Sequence, residues 1–151
     1  MKFTTYLTAL ASVLVLGTVR ADELSTCSDN LPKLMKITRM ENTPVVAGKW
    51  FCVSITGDLP RAIEAERAFT IIGMRVGETS TPSWTKDLTY DNVFPMGPGM
   101  TTIKVCAVVP YRTPVGTDVV VHYQGINEDA IFCVRGEFTT QAPKTRLRIQ
   151  E

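Results

Sequence analysis

The chain has 151 residues, 44% of them hydrophobic and 21% charged, with 16 basic residues against 15 acidic ones. That apolar content with so small a net charge describes one ordinary globular domain and excludes a disordered chain, while 10 glycines and 9 prolines exclude a collagen-like one. The near-neutral balance gives no broad basic field and argues against nucleic acid as a partner.

In chain order, Lys2 is followed by an apolar stretch, YLTALASVLVLG over residues 6–17, and by Val19-Arg20-Ala21. This is the pattern of a secretory signal peptide, with cleavage expected after Ala21. The stretch is shorter than the ~20 residues that span a bilayer, and no second one follows. Residues 1–21 are therefore read as a leader and 22–151 as one domain, secreted or lumenal. Removing the leader takes away Lys2 and Arg20 but no acid, and leaves a nearly neutral chain.

Four cysteines remain, Cys27, Cys52, Cys106 and Cys133. An even count in an oxidising compartment predicts two disulfides, with three possible connectivities. There is no C-x-x-C, and His122 is the single histidine, so neither a zinc site nor a thioredoxin-type motif is expected.

Short apolar runs rich in β-branched residues alternate with turn signals such as Asn42-Thr43-Pro44, Gly57-Asp58, Gly97-Pro98-Gly99 and Asn127-Glu128-Asp129. They predict strands over residues 34–40, 49–57, 68–76, 84–88, 101–109, 118–125 and 130–139. IEAERA, residues 63–68, has the pattern for one helical turn. The fold class is all-β, an immunoglobulin-like sandwich of about seven antiparallel strands.

Alternation then assigns faces. In WFCVSIT, Phe51, Val53 and Ile55 share one face and Trp50, Cys52, Ser54 and Thr56 the other. In TIKVCAVV, Ile103, Val105, Ala107 and Val109 share a face opposite Thr102, Lys104, Cys106 and Val108. Cys52 and Cys106 thus fall on the more polar faces of the second and fifth strands, which are antiparallel neighbours in an immunoglobulin-type topology. Their sulfurs are expected to meet on the outside of one sheet, which pairs Cys27 with Cys133 by elimination.

Val108-Val109-Pro110, Pro114-Val115-Gly116, Val119-x-Val121-x-Tyr123-x-x-x-Asn127 and Ile131-x-Cys133 with Phe138 resemble the carboxy-terminal half of the ML (MD-2-related lipid-recognition) domain family. Cys27, Pro44-x-x-x-Gly48 and Thr56-Gly57 extend the resemblance through the amino-terminal half. It implies a sandwich whose sheets splay around a lipid, a sterol or phospholipid, with no cofactor and transient contact with membrane surfaces or a membrane-bound acceptor. It also implies a bond between the first and last cysteines, in agreement with Cys27 and Cys133. Many relatives carry a small disulfide loop in mid-chain. Residues 86–100 hold no cysteine, so a different loop arrangement is expected there.

The inward faces supply the expected cavity lining: Phe51, Val53, Ile55, Phe69, Ile71, Val105, Val119, Val121, Tyr123 and Phe132. An ordinary filled core would place the same residue types there. By resemblance, Trp84, Tyr111 and Pro114 frame the entrance. Apolar residues on both faces of AFTIIGMRV, residues 68–76, add the extra apolar material that a cavity needs. His122, opposite Val121 and Tyr123, is expected to face solvent, and the tail from Lys144 to Arg148 to be a solvated end.

Enzyme chemistry is not expected. A catalytic triad would have to use His122 inside a valine-rich strand, and neither G-x-S-x-G nor H-E-x-x-H occurs. Glu64 with Glu66 and Glu128 with Asp129 are adjacent acids in loops, a pattern that is usually solvated. The reading is a lipid-binding and lipid-transfer protein; the alternative is a secreted β-sandwich with a filled core that acts through its surface, in adhesion, host interaction or inhibition.

Overall fold

A computed structural model describes residues 23–144. The expected leader lies outside the described residues, as does the basic tail beyond Lys144. The chain is all-β, built as nine strands in two antiparallel sheets: β1 Glu23–Thr26, β2 Lys36–Asn42, β3 Trp50–Leu59, β4 Phe69–Val76, β5 Thr79–Ser80, β6 Trp84–Asp87, β7 Gly99–Val108, β8 Asp118–Asn127 and β9 Asp129–Thr139. The larger sheet runs β1-β9-β8-β4, with β5 and β6 both on the far edge of β4, and the smaller runs β2-β3-β7.

The seven expected strands are all present, with ends shifted by a few residues. The two additions, β1 and β5, are short and polar, and carry no apolar alternation. IEAERA forms no helix: Ile63 bridges Met96, and the chain turns at Arg67 with a positive φ of 62°. A single 3-10 turn follows β6 instead, at Leu88–Tyr90. Its cap is Asp87, which accepts hydrogen bonds from the Thr89 N–H and hydroxyl, and these hold its carboxyl below the ordinary carboxylate range.

The core lies between the sheets. From the smaller sheet come Phe51, Val53, Ile55, Ile103, Val105 and Ala107, and from the larger Ile72, Met74, Val119, Val121, Tyr123, Phe132, Val134 and Phe138, all buried. Phe51 and Phe138 meet across the interface with ring centroids 4.8 Å apart and planes tilted by 60°.

Two glycines make this packing possible. An added Cβ would come within 2.3 Å of the Phe132 ring at Gly125, and within 2.3 Å of the Phe138 ring at Gly136. Gly125 pairs with Phe132 across β8 and β9, and Gly136 pairs with Val121, so each ring lies flat over bare backbone. Gly73 of the same sheet has no side-chain atom closer than 3.6 Å to an added Cβ. Gly125→Ala and Gly136→Ala are therefore expected to lose about 1–3 kcal/mol by overpacking, whereas Gly73→Ala stays neutral or gains up to ~1 kcal/mol; urea midpoints at constant m check the contrast.

Candidate functional site

The candidate site is the apolar interface between the sheets together with the end of the sandwich where β3 starts and β7 stops. Phe51, Val53, Ile55, Val105, Val119, Val121, Tyr123 and Phe132 all reach the interior as alternation predicts. Phe69 and Ile71 do not: they lie on the outer face of β4, partly exposed, and the inward members are Ala68, Thr70, Ile72 and Met74. The physical reason is that both faces of AFTIIGMRV are apolar, so alternation alone cannot choose. The pairing with β8 decides it, because cross-strand partners share a face. Ile72 opposes Tyr123 and Met74 opposes Val121, while Ile71 opposes Gln124 and Phe69 opposes Ile126.

The interior is occupied by these side chains. Concavities outlined by described residues lie on the exterior: about 610 Å³ against Glu23, Ser25, Arg135 and Glu137, about 470 Å³ beside Leu31, Leu34 and Ala130, and about 260 Å³ beside Arg61, Glu64, Glu66 and Glu128. The last gathers carboxylates that are only sequence neighbours, but with cations among them: Arg61 pairs with Asp129 at 3.1 Å and Arg67 with Glu128 at 3.7 Å. These exposed pairs are worth little.

Both disulfides form as expected. Cys52 and Cys106 face each other directly in the β3/β7 register, with Cα atoms 4.0 Å apart on the outer side of the smaller sheet. Cys27 and Cys133 join the segment after β1 to β9, with Cα atoms 5.4 Å apart, and the Cys27 N–H donates to the Cys133 carbonyl. Each bond closes within one sheet. His122 is exposed as expected, with Nε2 3.1 Å from Cys133 Sγ and 3.7 Å from Cys27 Sγ. The three side chains form a cluster, but both sulfurs are spent in the disulfide and offer no thiolate to a metal.

Of the entrance trio, Tyr111 is 82% exposed and its ring covers Gly48, where an added Cβ would come within 2.5 Å of it. Gly48 and Trp50 bracket the ladder that joins the start of β3 to Val109 and Val108. Trp50 was readable as the apolar residue on the Cys52 face, and it is 60% exposed. Lys86 of β6 lies over it, with Nζ 5.2 Å from the ring centroid. Trp84 is two residues from Lys86 on the same side of β6 and is 38% exposed. Pro114 is exposed at the loop top, and its carbonyl accepts a hydrogen bond from the Thr140 hydroxyl.

The mid-chain loop without cysteines is held by side chains bonded to the open edge of β7. Asn92 Oδ1 accepts from the Lys104 N–H at 2.7 Å and its Nδ2 donates to the Lys104 carbonyl at 2.8 Å, which imitates a strand partner. Asp91 accepts from the Cys106 N–H and from Lys86 Nζ, which also donates to the Cys106 carbonyl. This strap joins the two sheets along one side. No sequence motif announces it, because Asp and Asn in a loop look like turn formers.

No protein-family model and no curated protein matches the sequence. Among solved structures, the chain is similar to a Niemann-Pick type C2 protein from the Japanese carpenter ant, at 13% identity and a TM-score of 0.53, over 79% of this chain and 99% of that one. At that identity the likeness is one of fold, and it agrees with the two-sheet arrangement described above.

Asn92→Ala should leave the Lys104 amide without its acceptor and open the β7 edge. Hydrogen exchange at Lys104 is expected to speed up several-fold to about tenfold, as the loss of one hydrogen bond worth ~1 kcal/mol implies, with Val53 and Val105 unchanged.

Proposed function

We propose that this protein binds and carries a lipid, a sterol or a phospholipid, between its two sheets, as a secreted or lumenal protein that touches membrane surfaces in passing and makes no bond chemistry. The observation that supports this best is the construction of the interface: two sheets, each braced by its own disulfide, meet through apolar side chains, and neither disulfide crosses from one sheet to the other. The likeness to the Niemann-Pick type C2 fold supports the same reading. Phe51, Val53, Ile55, Val105, Val119, Val121, Tyr123 and Phe132 would contact the lipid once the sheets part, joined by Ile72 and Met74; Phe69 and Ile71 lie outside that contact. Transfer out of water contributes roughly 25 cal/mol per Å² of apolar ligand surface removed.

Trp50, Tyr111, Val108 and Val115 form an exposed apolar surface at one end, beside Lys49 and Arg112. Aromatic rings with neighbouring cations suit the headgroup layer of an anionic membrane. Burial of the interface side chains suits equally the second reading, a sandwich that acts through its surface.

Native mass spectrometry of the secreted protein, before and after solvent extraction, separates the two. A one-to-one lipid adduct lost on extraction is the expected result; a bare chain with two disulfides that takes up neither sterol nor phospholipid sinks the carrier reading. A double variant, Trp50→Ala with Tyr111→Ala, is expected to slow lipid transfer between anionic vesicles several-fold while leaving equilibrium lipid binding in place.

A further inference from the structure

The single histidine of the chain lies against a disulfide. His122 is exposed on the outer face of β8, with Nε2 3.1 Å from Cys133 Sγ and 3.7 Å from Cys27 Sγ. Register sets the contact: His122 opposes Arg135 and Gln124 opposes Cys133 in the β8/β9 ladder, which makes His122 and Cys133 diagonal neighbours on one face. The two cysteines differ in access. Cys133 is 2% exposed, whereas Cys27 is half-buried and lines the concavity of about 610 Å³ that Glu23, Ser25, Ser28, Arg135 and Glu137 also border.

Thiol–disulfide exchange needs one sulfur open to attack and a second that leaves easily, and a thiolate leaves faster when a neighbouring cation lowers its basicity. Both conditions meet at this bond. Cys27 is the accessible member, and Cys133 carries the sulfur nearer to Nε2, which donates to it when the imidazole is protonated. The charged groups around His122 on this face have partners of their own. Arg135, opposite His122, pairs with Glu137 at 3.0 Å, Glu23 of β1 lies beyond Glu137, and Arg75 of β4 donates to the Gly77 carbonyl. Gly73, opposite His122 on β4, adds no side chain. The Cys52–Cys106 bond is built differently: both residues are buried, and Lys86 beside it is committed to Asp91 and to the Cys106 carbonyl.

We propose that Cys27–Cys133 is an exchangeable disulfide, which takes a small thiol of the cysteine or glutathione class onto Cys27 while His122 stabilises Cys133 as the leaving thiolate. The attacking thiolate forms a bond to Cys27 Sγ as the Cys27–Cys133 bond breaks, the electron pair goes to Cys133 Sγ, and the Nε2 proton passes to that sulfur. A second thiol then attacks the small-thiol sulfur of the mixed disulfide, so that two thiols are oxidised to one small disulfide and the protein's bond is reduced to two thiols. The concavity beside Cys27 carries one guanidinium and two carboxylates, which suits a small thiol that itself bears ammonium and carboxylate groups. The site lies on the outer face of the larger sheet and does not depend on what the interface between the sheets holds.

The test exposes the full-length secreted protein to reduced glutathione, quenches with acid at early times, alkylates the free thiols and maps each cysteine by peptide mass spectrometry. Cys27–Cys133 is expected to open about tenfold or more faster than Cys52–Cys106, with the first glutathione carried on Cys27. His122→Gln, which keeps an exposed polar side chain, should slow that opening several-fold at about pH 6 and much less at about pH 9, because the stabilising proton comes from an imidazolium. Its melting temperature with both disulfides intact should stay that of the wild type. Equal opening of the two bonds, opening of neither, a first glutathione on Cys133, or a His122→Gln variant whose rate and pH profile match the wild type each overturns the proposal.

Discussion

Apolar contact fills the interface between the two sheets, and the rest of the architecture is arranged around it. In an antibody-type sandwich a disulfide crosses from sheet to sheet. Here Cys52 and Cys106 lie on neighbouring strands of the smaller sheet, and Cys27, just past β1, is tied to Cys133 of β9 in the larger one. Each sheet is stiffened separately, while their junction depends on the fit of Phe51 against Phe138 and of the valines and isoleucines around them. The polar strap of Asp91, Asn92 and Lys86 closes one side with hydrogen bonds and an ion pair.

That arrangement separates two demands that a filled core would combine. Stability within a sheet comes from ladders and disulfides, each of which closes a loop long enough to contribute on the order of 4 kcal/mol by chain entropy. Complementarity between sheets comes from shape, including the bare backbone at Gly125 and Gly136 that lets Phe132 and Phe138 lie flat.

Most of the sheets was legible in the sequence because one face of β3, β7 and β8 is apolar throughout while the other is mainly polar. The same rule paired Cys52 with Cys106, and Cys27 with Cys133 followed by elimination. It failed in β4, where both faces are apolar and the parity is fixed by a partner strand 50 residues away, which no local pattern reveals. β1 and β5 were illegible for the opposite reason: ELST and a two-residue strand carry no hydrophobic period, and they form because β9 and β4 offer them an edge. IEAERA shows the limit of local propensity, since the bridge from Ile63 to Met96 outweighs one marginal turn of helix. At the candidate site, the aromatic residues could be read, but the contact of His122 with the Cys27–Cys133 disulfide could not. Which side chains meet diagonally across β8 and β9 is a property of their register.

A buried interface and the lipid site proposed for it are compatible in a sandwich whose disulfides stay within the sheets. Parting the sheets around a lipid replaces side-chain contacts across the interface with contacts of the same kind to the ligand, so the protein's own dispersion energy changes little. The net gain is then the ligand's escape from water, about 25 cal/mol for each Å² of its apolar surface, less the strain of separating the sheets and the ordering of the ligand.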